Sequence, residues 1–184
     1  MEQFFYDDPL EALRSAPAPS IFLAGPTSRG VRRTAWRAQA LELLQRGGYP
    51  GSVILPEFRD GLFDERAPQR FGAGQSPVPS MRTVSFNVLT WETTGLEAAS
   101  RVLFWMPFCV KDEEDPESLP GFTTRAEVAR ELQRSPGRLV LGMPPGALSS
   151  SHIRYHAHHS GLRIWETLEQ TVAAALAATA KGPA

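Results

Sequence analysis

The chain is poor in cysteine, balanced in charge and free of long apolar runs. Cys109 is the one cysteine among 184 residues, which excludes an internal disulfide framework and a cysteine-built zinc site. Lys plus Arg number 19 and Asp plus Glu 20, for a net charge of −1. A general binder of polymeric nucleic acid needs a basic surplus that this chain lacks. No stretch approaches the roughly 18 apolar residues that a membrane-crossing helix requires. The opening MEQFFYDDPLEALRSAPAPS carries acids and no apolar centre, so a secretory leader is not expected and a cytoplasmic location is. What is present is ordinary for a folded domain: 42% hydrophobic and 21% charged residues. The length predicts a single domain, large enough to fold without a disulfide or metal staple.

Residues 1–19 read as a loosely attached lead-in that Pro17 and Pro19 stiffen at its end, with residues 20–184 as the domain. Phe4, Phe5 and Tyr6 are expected to pack. From residue 20 onward, strand and helix signals alternate. Short continuous apolar runs at 20–24, 52–55, 101–106, 139–142 and 162–165 predict five buried strands. Helical spacing predicts helices over 34–46, 83–99, 124–134 and 167–180. Residues 57–80, rich in Pro, Gly and Ser, predict a long loop of a length that is often functional. The tract 112–117 reads as an acidic, solvated loop, and 147–160 is ambiguous. Continuous apolar strands separated by helices predict an α/β fold, a doubly wound parallel sheet of five strands in the order 2-1-3-4-5 with helices on both faces. Ligands of such folds bind beyond the carboxyl ends of the strands, where the order reverses. That brings the segments after the first and third strands to one crevice.

Three clusters could carry chemistry there. Gly25-Pro26-Thr27-Ser28-Arg29-Gly30 leaves a strand and enters a helix, where free amides and Arg29, Arg32 and Arg33 would favour an anion. It matches neither the phosphate loop nor the dinucleotide fingerprint, and a plain turn is the competing reading. Pro120-Gly121-Phe122-Thr123-Thr124-Arg125-Ala126-Glu127 opens a helix after the third strand. Its Thr124-x-x-Glu127 also fits a capping box, with Glu127 returning to its own backbone. Glu92, beside Trp91, would form a carboxylate pair with Glu127 if it faced the crevice, and two such groups can divide nucleophilic and acid–base work at a glycosidic bond. The tract of His152, His156, His158 and His159 reads as a polar surface stretch, suited to a subunit contact before a metal: its i, i+4 spacing matches a metal pair, but no acidic or cysteine ligand lies near. Cys109 reads as a packed residue.

These residues, taken in order, resemble the nucleoside 2-deoxyribosyltransferase-like family: Ile21-Phe22-Leu23-Ala24-Gly25-Pro26, Trp36, Leu55-Pro56-Glu57, Trp91-Glu92, Phe104-Trp105-Met106-Pro107, Gly121-Phe122-Thr123-Thr124 with Glu127, Val140-Leu141-Gly142 and Pro144-Pro145. The resemblance runs from about residue 20 to the final helix. It implies a flavodoxin-like fold and cleavage or transfer at the N-glycosidic bond of a (deoxy)nucleoside or nucleotide. Glu127 is then the nucleophile and Glu92 the acid that assists the departing base. It further implies that Phe22, Gly25, Pro26, Thr27, Ser28, Trp91, Gly121, Phe122, Thr123 and Thr124 surround the substrate. No metal or organic cofactor is expected, and a homodimer or higher homo-oligomer is. Phe22 stands where better-known members carry Tyr, and Gly121 where they carry Asp. Two alternatives stay open. One is a nucleoside 5′-monophosphate phosphoribohydrolase, suggested by a loosened Pro-Gly-x-x-Thr-x-x-Glu pattern. The other is a non-catalytic nucleotide-sensing module, suggested by Phe22 and Gly121.

Overall fold

A computed structural model describes residues 1–27, 35–59, 83–109 and 121–181, with side chains in the second and third helices described from Trp36 and Val88 onward. The strands are β1 (Glu2–Phe4), β2 (Ser20–Ala24), β3 (Ser52–Ile54), β4 (Arg101–Trp105), β5 (Leu139–Gly142) and β6 (Ile164–Trp165). The helices are α1 (Leu10–Arg14), α2 (Ala35–Arg46), α3 (Thr83–Ala98), α4 (Phe122–Arg134), α5 (Ser151–His159) and α6 (Leu168–Ala180). The strands form one sheet in the order β1-β3-β2-β4-β5-β6, and every pairing is parallel.

The α/β architecture follows from strands that are apolar at successive positions. In β2, Ile21 and Leu23 enter the core on one side and Phe22 and Ala24 the core on the other, because neighbouring side chains of a strand point to opposite faces. On the Ile21 side the core includes Trp36, Ala40 and Leu44 of α2 with Leu168, Val172 and Ala175 of α6. On the Phe22 side it includes Leu13 of α1, Trp91 and Leu96 of α3, Val128 and Leu132 of α4, and Ile153 and Ala157 of α5. With both faces covered, neither can alternate with polar residues.

The sheet has six strands where five are expected. The sixth is the lead-in: Glu2–Phe4 pairs with β3, Glu2 beside Ser52 and Phe4 beside Ile54. Phe4, Phe5 and Tyr6 are all buried, Phe4 and Tyr6 in one core and Phe5 in the other. The segment is thus a sheet edge and not a loose lead-in. Three aromatic side chains anchor it, a run too short to show strand periodicity. The ambiguous stretch before the last strand forms α5. Thr167 caps α6 by accepting a hydrogen bond from the Gln170 amide at 3.2 Å.

One polar knot fixes α3 against α4. Arg138 donates to the carbonyls of Leu96 (3.1 Å) and Ala99 (2.8 Å) at the end of α3. It also donates to Glu131 of α4 at 3.2 Å. Glu131 is buried and pairs with Arg130 through its other oxygen at 3.1 Å, so the charge is compensated where water cannot reach it. Among the described residues, no helix is long and apolar enough to cross a membrane.

Candidate active site

In an all-parallel sheet the carboxyl ends of the strands share one edge. Tyr6 lies just past β1, Gly25 just past β2 and Glu57 just past β3. Glu92 comes from α3, and Glu127 from α4 after β4. Of these, Tyr6 and Glu92 touch directly. The Tyr6 hydroxyl donates a hydrogen bond to Oε1 of Glu92. The charge of Glu92 acts on Glu127, and Tyr6, Glu92 and Glu127 all act on Arg37.

Arg37 is the cation beneath this group. It is almost wholly buried and donates to the carbonyls of Leu23 (3.2 Å) and Gly25 (2.8 Å) and to the Thr27 hydroxyl (3.1 Å). The buried Glu57 carboxylate stands 3.7 Å away. Burial draws the guanidinium below its usual range, while Glu57 and then Tyr6, Glu92 and Glu127 oppose that shift. Arg37 therefore pins the turn after β2 and supplies the positive charge that lets two carboxyls share a confined space. Gly25 itself must be glycine. Its φ is 154°, and a Cβ there would stand 2.3 Å from the Trp105 carbonyl oxygen. The Pro26 carbonyl accepts from the Trp36 indole at 3.0 Å.

Glu127 is not a cap. The helix begins at Phe122, two residues earlier than its Thr-based signal indicates, and its N-cap is Gly121 in the left-handed region with no side-chain cap bond. Thr124 is buried, and no acid lies in the first turn. Glu127 instead projects from the second turn, half-buried, and its carboxyl accepts no hydrogen bond among the described residues. Burial, then the charge of Glu92, pushes its pKa up to about 7, against the lowering effect of Arg37. Burial also raises Glu92, which the Tyr6 hydrogen bond and Arg37 partly offset. The Tyr6 phenol is pushed well above its ordinary range by burial and by the Glu92 charge, so it remains a hydrogen-bond donor.

The remaining residues assigned from sequence are distributed unevenly. Phe22 and Trp91 are 1% and 2% exposed; they lie in the core, with ring centroids 6.5 Å apart. Trp91 also packs edge-on against Tyr6 at 4.9 Å and donates to the Asp8 carbonyl at 3.2 Å, so it braces the N-terminal segment from within. Gly121 is buried against the Phe108 ring. Phe122 is 71% exposed, and Thr123 is exposed beside it. Ser28 with Arg29, Arg32 and Arg33, residues 60–80 of the long loop, and the 112–117 tract lie outside the described residues.

Sequence reasoning assigned no site role to Tyr6, Arg37 or Glu57. Glu57 had a visible signal, an acid directly after a strand and a proline. Arg37 had only its place one residue after Trp36 on the core-facing side of α2. Tyr6 had none, because the strand just before it is three residues long. Chemically the cluster holds two carboxyls with raised proton affinity, one phenol donor and one buried cation. Such a set can deliver a proton and a nucleophilic oxygen to the same small substrate. In comparisons with known proteins, no family model and no curated protein sequence matches this chain.

Proposed function

We propose that this protein cleaves or transfers the N-glycosidic bond of a (deoxy)nucleoside or nucleotide, with Glu127 as nucleophile and Glu92 as the acid that protonates the departing base. The flavodoxin-like reading of the fold belongs to the same proposal. The observation that carries it is the Glu92–Glu127 pair: two coupled carboxyls at the carboxyl edge of a parallel sheet, one held by Tyr6 and the other without a hydrogen bond among the described residues.

In the first step Glu127 attacks the anomeric carbon, and the bond from that carbon to the base nitrogen breaks. The electron pair of that bond goes to the nitrogen, which takes a proton from Glu92. The product is a covalent glycosyl-enzyme. In the second step water, or an incoming base, gives a proton back to Glu92 and attacks the same carbon from the vacated side. Two inversions give net retention. The step needs one proton and one negative charge between the two carboxyls. Coupled groups reach that state over a range of pH that belongs to the pair.

A second reading exchanges the two roles. The Tyr6 hydrogen bond favours it: a donor on Oε1 of Glu92 stabilises the ionised form of that carboxyl, while burial raises the proton affinity of Glu127. The experiment that separates the readings uses a nucleoside with a good leaving base and intact-protein mass spectrometry. Loss of the nucleophile leaves no adduct. Loss of the acid leaves an adduct that forms without proton assistance. Glu127→Gln without adduct and Glu92→Gln with one supports the first assignment, and the opposite pattern supports the exchange. Parallel incubations with deoxynucleosides and with nucleoside 5′-monophosphates, read as free base by chromatography, decide whether a phosphate is required. Tight ligand binding without base release from either class would point to the sensing alternative.

A further inference from the structure

Helix α5 brings two imidazoles to one point. His152 and His156 are one helical turn apart, and their Nε2 atoms face each other at 3.3 Å, with ring centroids 4.4 Å apart. Tyr155 packs edge-on against His156 at 5.3 Å, which limits how that ring can turn. His159 is engaged elsewhere, its Nδ1 lying 2.9 Å from the Tyr155 carbonyl. Both His152 and His156 are exposed and line a cavity of about 260 Å³ between α4 and α5. Glu127 does not line that cavity.

The separation has a chemical meaning. A tetrahedral ion bound by imidazole nitrogen at about 2.0–2.1 Å places neighbouring donor atoms roughly 3.3–3.4 Å apart. The two Nε2 atoms stand at that spacing. Two neutral imidazoles there can share one hydrogen bond, and a divalent ion can take the place of the shared proton. We propose that His152 and His156 form a binding site for a divalent transition-metal ion of the zinc type, with water in its other positions and the adjoining cavity as room for that water. The sequence alone favours a polar surface tract; the formation of α5 turns an i, i+4 spacing into a donor pair.

The neighbours set its strength. Arg125 borders the cavity but donates to the Ser149 and Leu148 carbonyls at 2.7 and 2.8 Å, and Arg154 donates to Ser150 at 3.2 Å. Arg125, at the cavity, weakens attraction for a positive ion. No group of three or more His, Cys, Asp or Glu suited to a metal occurs among the described residues. Two neutral ligands and nearby positive charge give a weak, open site. The ion would clip one turn of α5, linking metal binding to the stability of that helix.

The probe is zinc chloride, titrated into the full-length protein against a chromophoric chelator at pH 7.5, with a thermal melt alongside. The expected result is one zinc per chain, a weakening of at least tenfold in His152→Ala and in His156→Ala, and no change in His158→Ala. Both substitutions lie on exposed positions, and an unchanged circular dichroism spectrum establishes that each variant is folded. Absence of zinc uptake by the unsubstituted protein, or uptake that survives both substitutions, overturns the proposal. The readout is independent of base release, so its failure leaves the catalytic proposal standing.

Discussion

Tyr6 on the N-terminal segment donates its hydroxyl to Glu92 on α3, a partner 86 residues further along the chain. The ring is packed edge-on against Trp91 and Phe58 at 4.9 and 5.3 Å, so the hydroxyl arrives on a fixed lever. The segment that reads as a loosely attached lead-in in the sequence thereby orients one of the two carboxyls.

Tyr6→Phe keeps that ring packing and removes only the hydroxyl. A lost buried hydrogen bond of this kind costs about 1–3 kcal/mol, and the fold should survive. The donor favours the ionised form of Glu92. Its loss should raise the proton affinity of Glu92 further and move the alkaline limb of the pH–rate profile upward. Turnover should fall about 10- to 100-fold with KM little changed, measured by chromatography of released base. An unchanged profile would reduce Tyr6 to packing.

Glu127 should cost stability at neutral pH. A carboxyl that ionises at an ordinary 4.5 in the unfolded chain and at about 7 in the fold makes the native state the more protonated one between those values. Its contribution is therefore unimpaired below 4.5 and diminishes as pH rises through 7, by up to about 3 kcal/mol. Glu127→Gln removes the penalty. Thermal melts should show the variant more stable than the parent at pH 8, by about 2–4 °C for each kcal/mol recovered, and nearly equal to it at pH 4.5. A pH-independent difference would contradict the assigned shift.

Glu92→Gln removes one of the two charges that lift Glu127, leaving burial as the larger cause. The Glu127 carboxyl should then titrate below 7, by up to roughly one unit. A ¹³C-detected titration of the glutamate side chains reads this without requiring activity. An unmoved Glu127 would mean the two carboxyls do not sense each other.

Arg37 carries both structure and charge. Arg37→Met takes the cation from beside buried Glu57 and releases the Gly25 and Leu23 carbonyls. Removing one member of a buried ion pair costs about 3–5 kcal/mol. Urea denaturation should show that loss, and pairing the change with Glu57→Gln should restore part of it because the two groups are coupled. Equal and additive losses would show that Arg37 and Glu57 do not act on each other.

The fold was legible where residues act in runs. The β2, β4 and β5 segments are continuous apolar stretches flanked by helices, and such stretches announce a parallel sheet covered on both faces. β1 was hidden because three residues cannot display a period, and its burial rests on Phe4, Phe5 and Tyr6 finding a sheet edge formed by residues about fifty positions away. At the site, Glu127 and Glu92 could be singled out by residue type and place. The sequence could not tell a capping Glu127 from a projecting one, because Gly121 and not Thr124 starts the helix. Arg37 was invisible for a different reason: a charged residue on a core-facing helical position carries no local signal of the buried acid it meets.

The most direct measurement compares base release from deoxynucleosides and nucleoside monophosphates by the parent protein and by Glu127→Gln, each shown to be folded by thermal melt. Release by the parent, with loss of at least a thousandfold in the variant, is the predicted outcome. Full release by the variant, or none by the parent from either substrate class, would contradict the account.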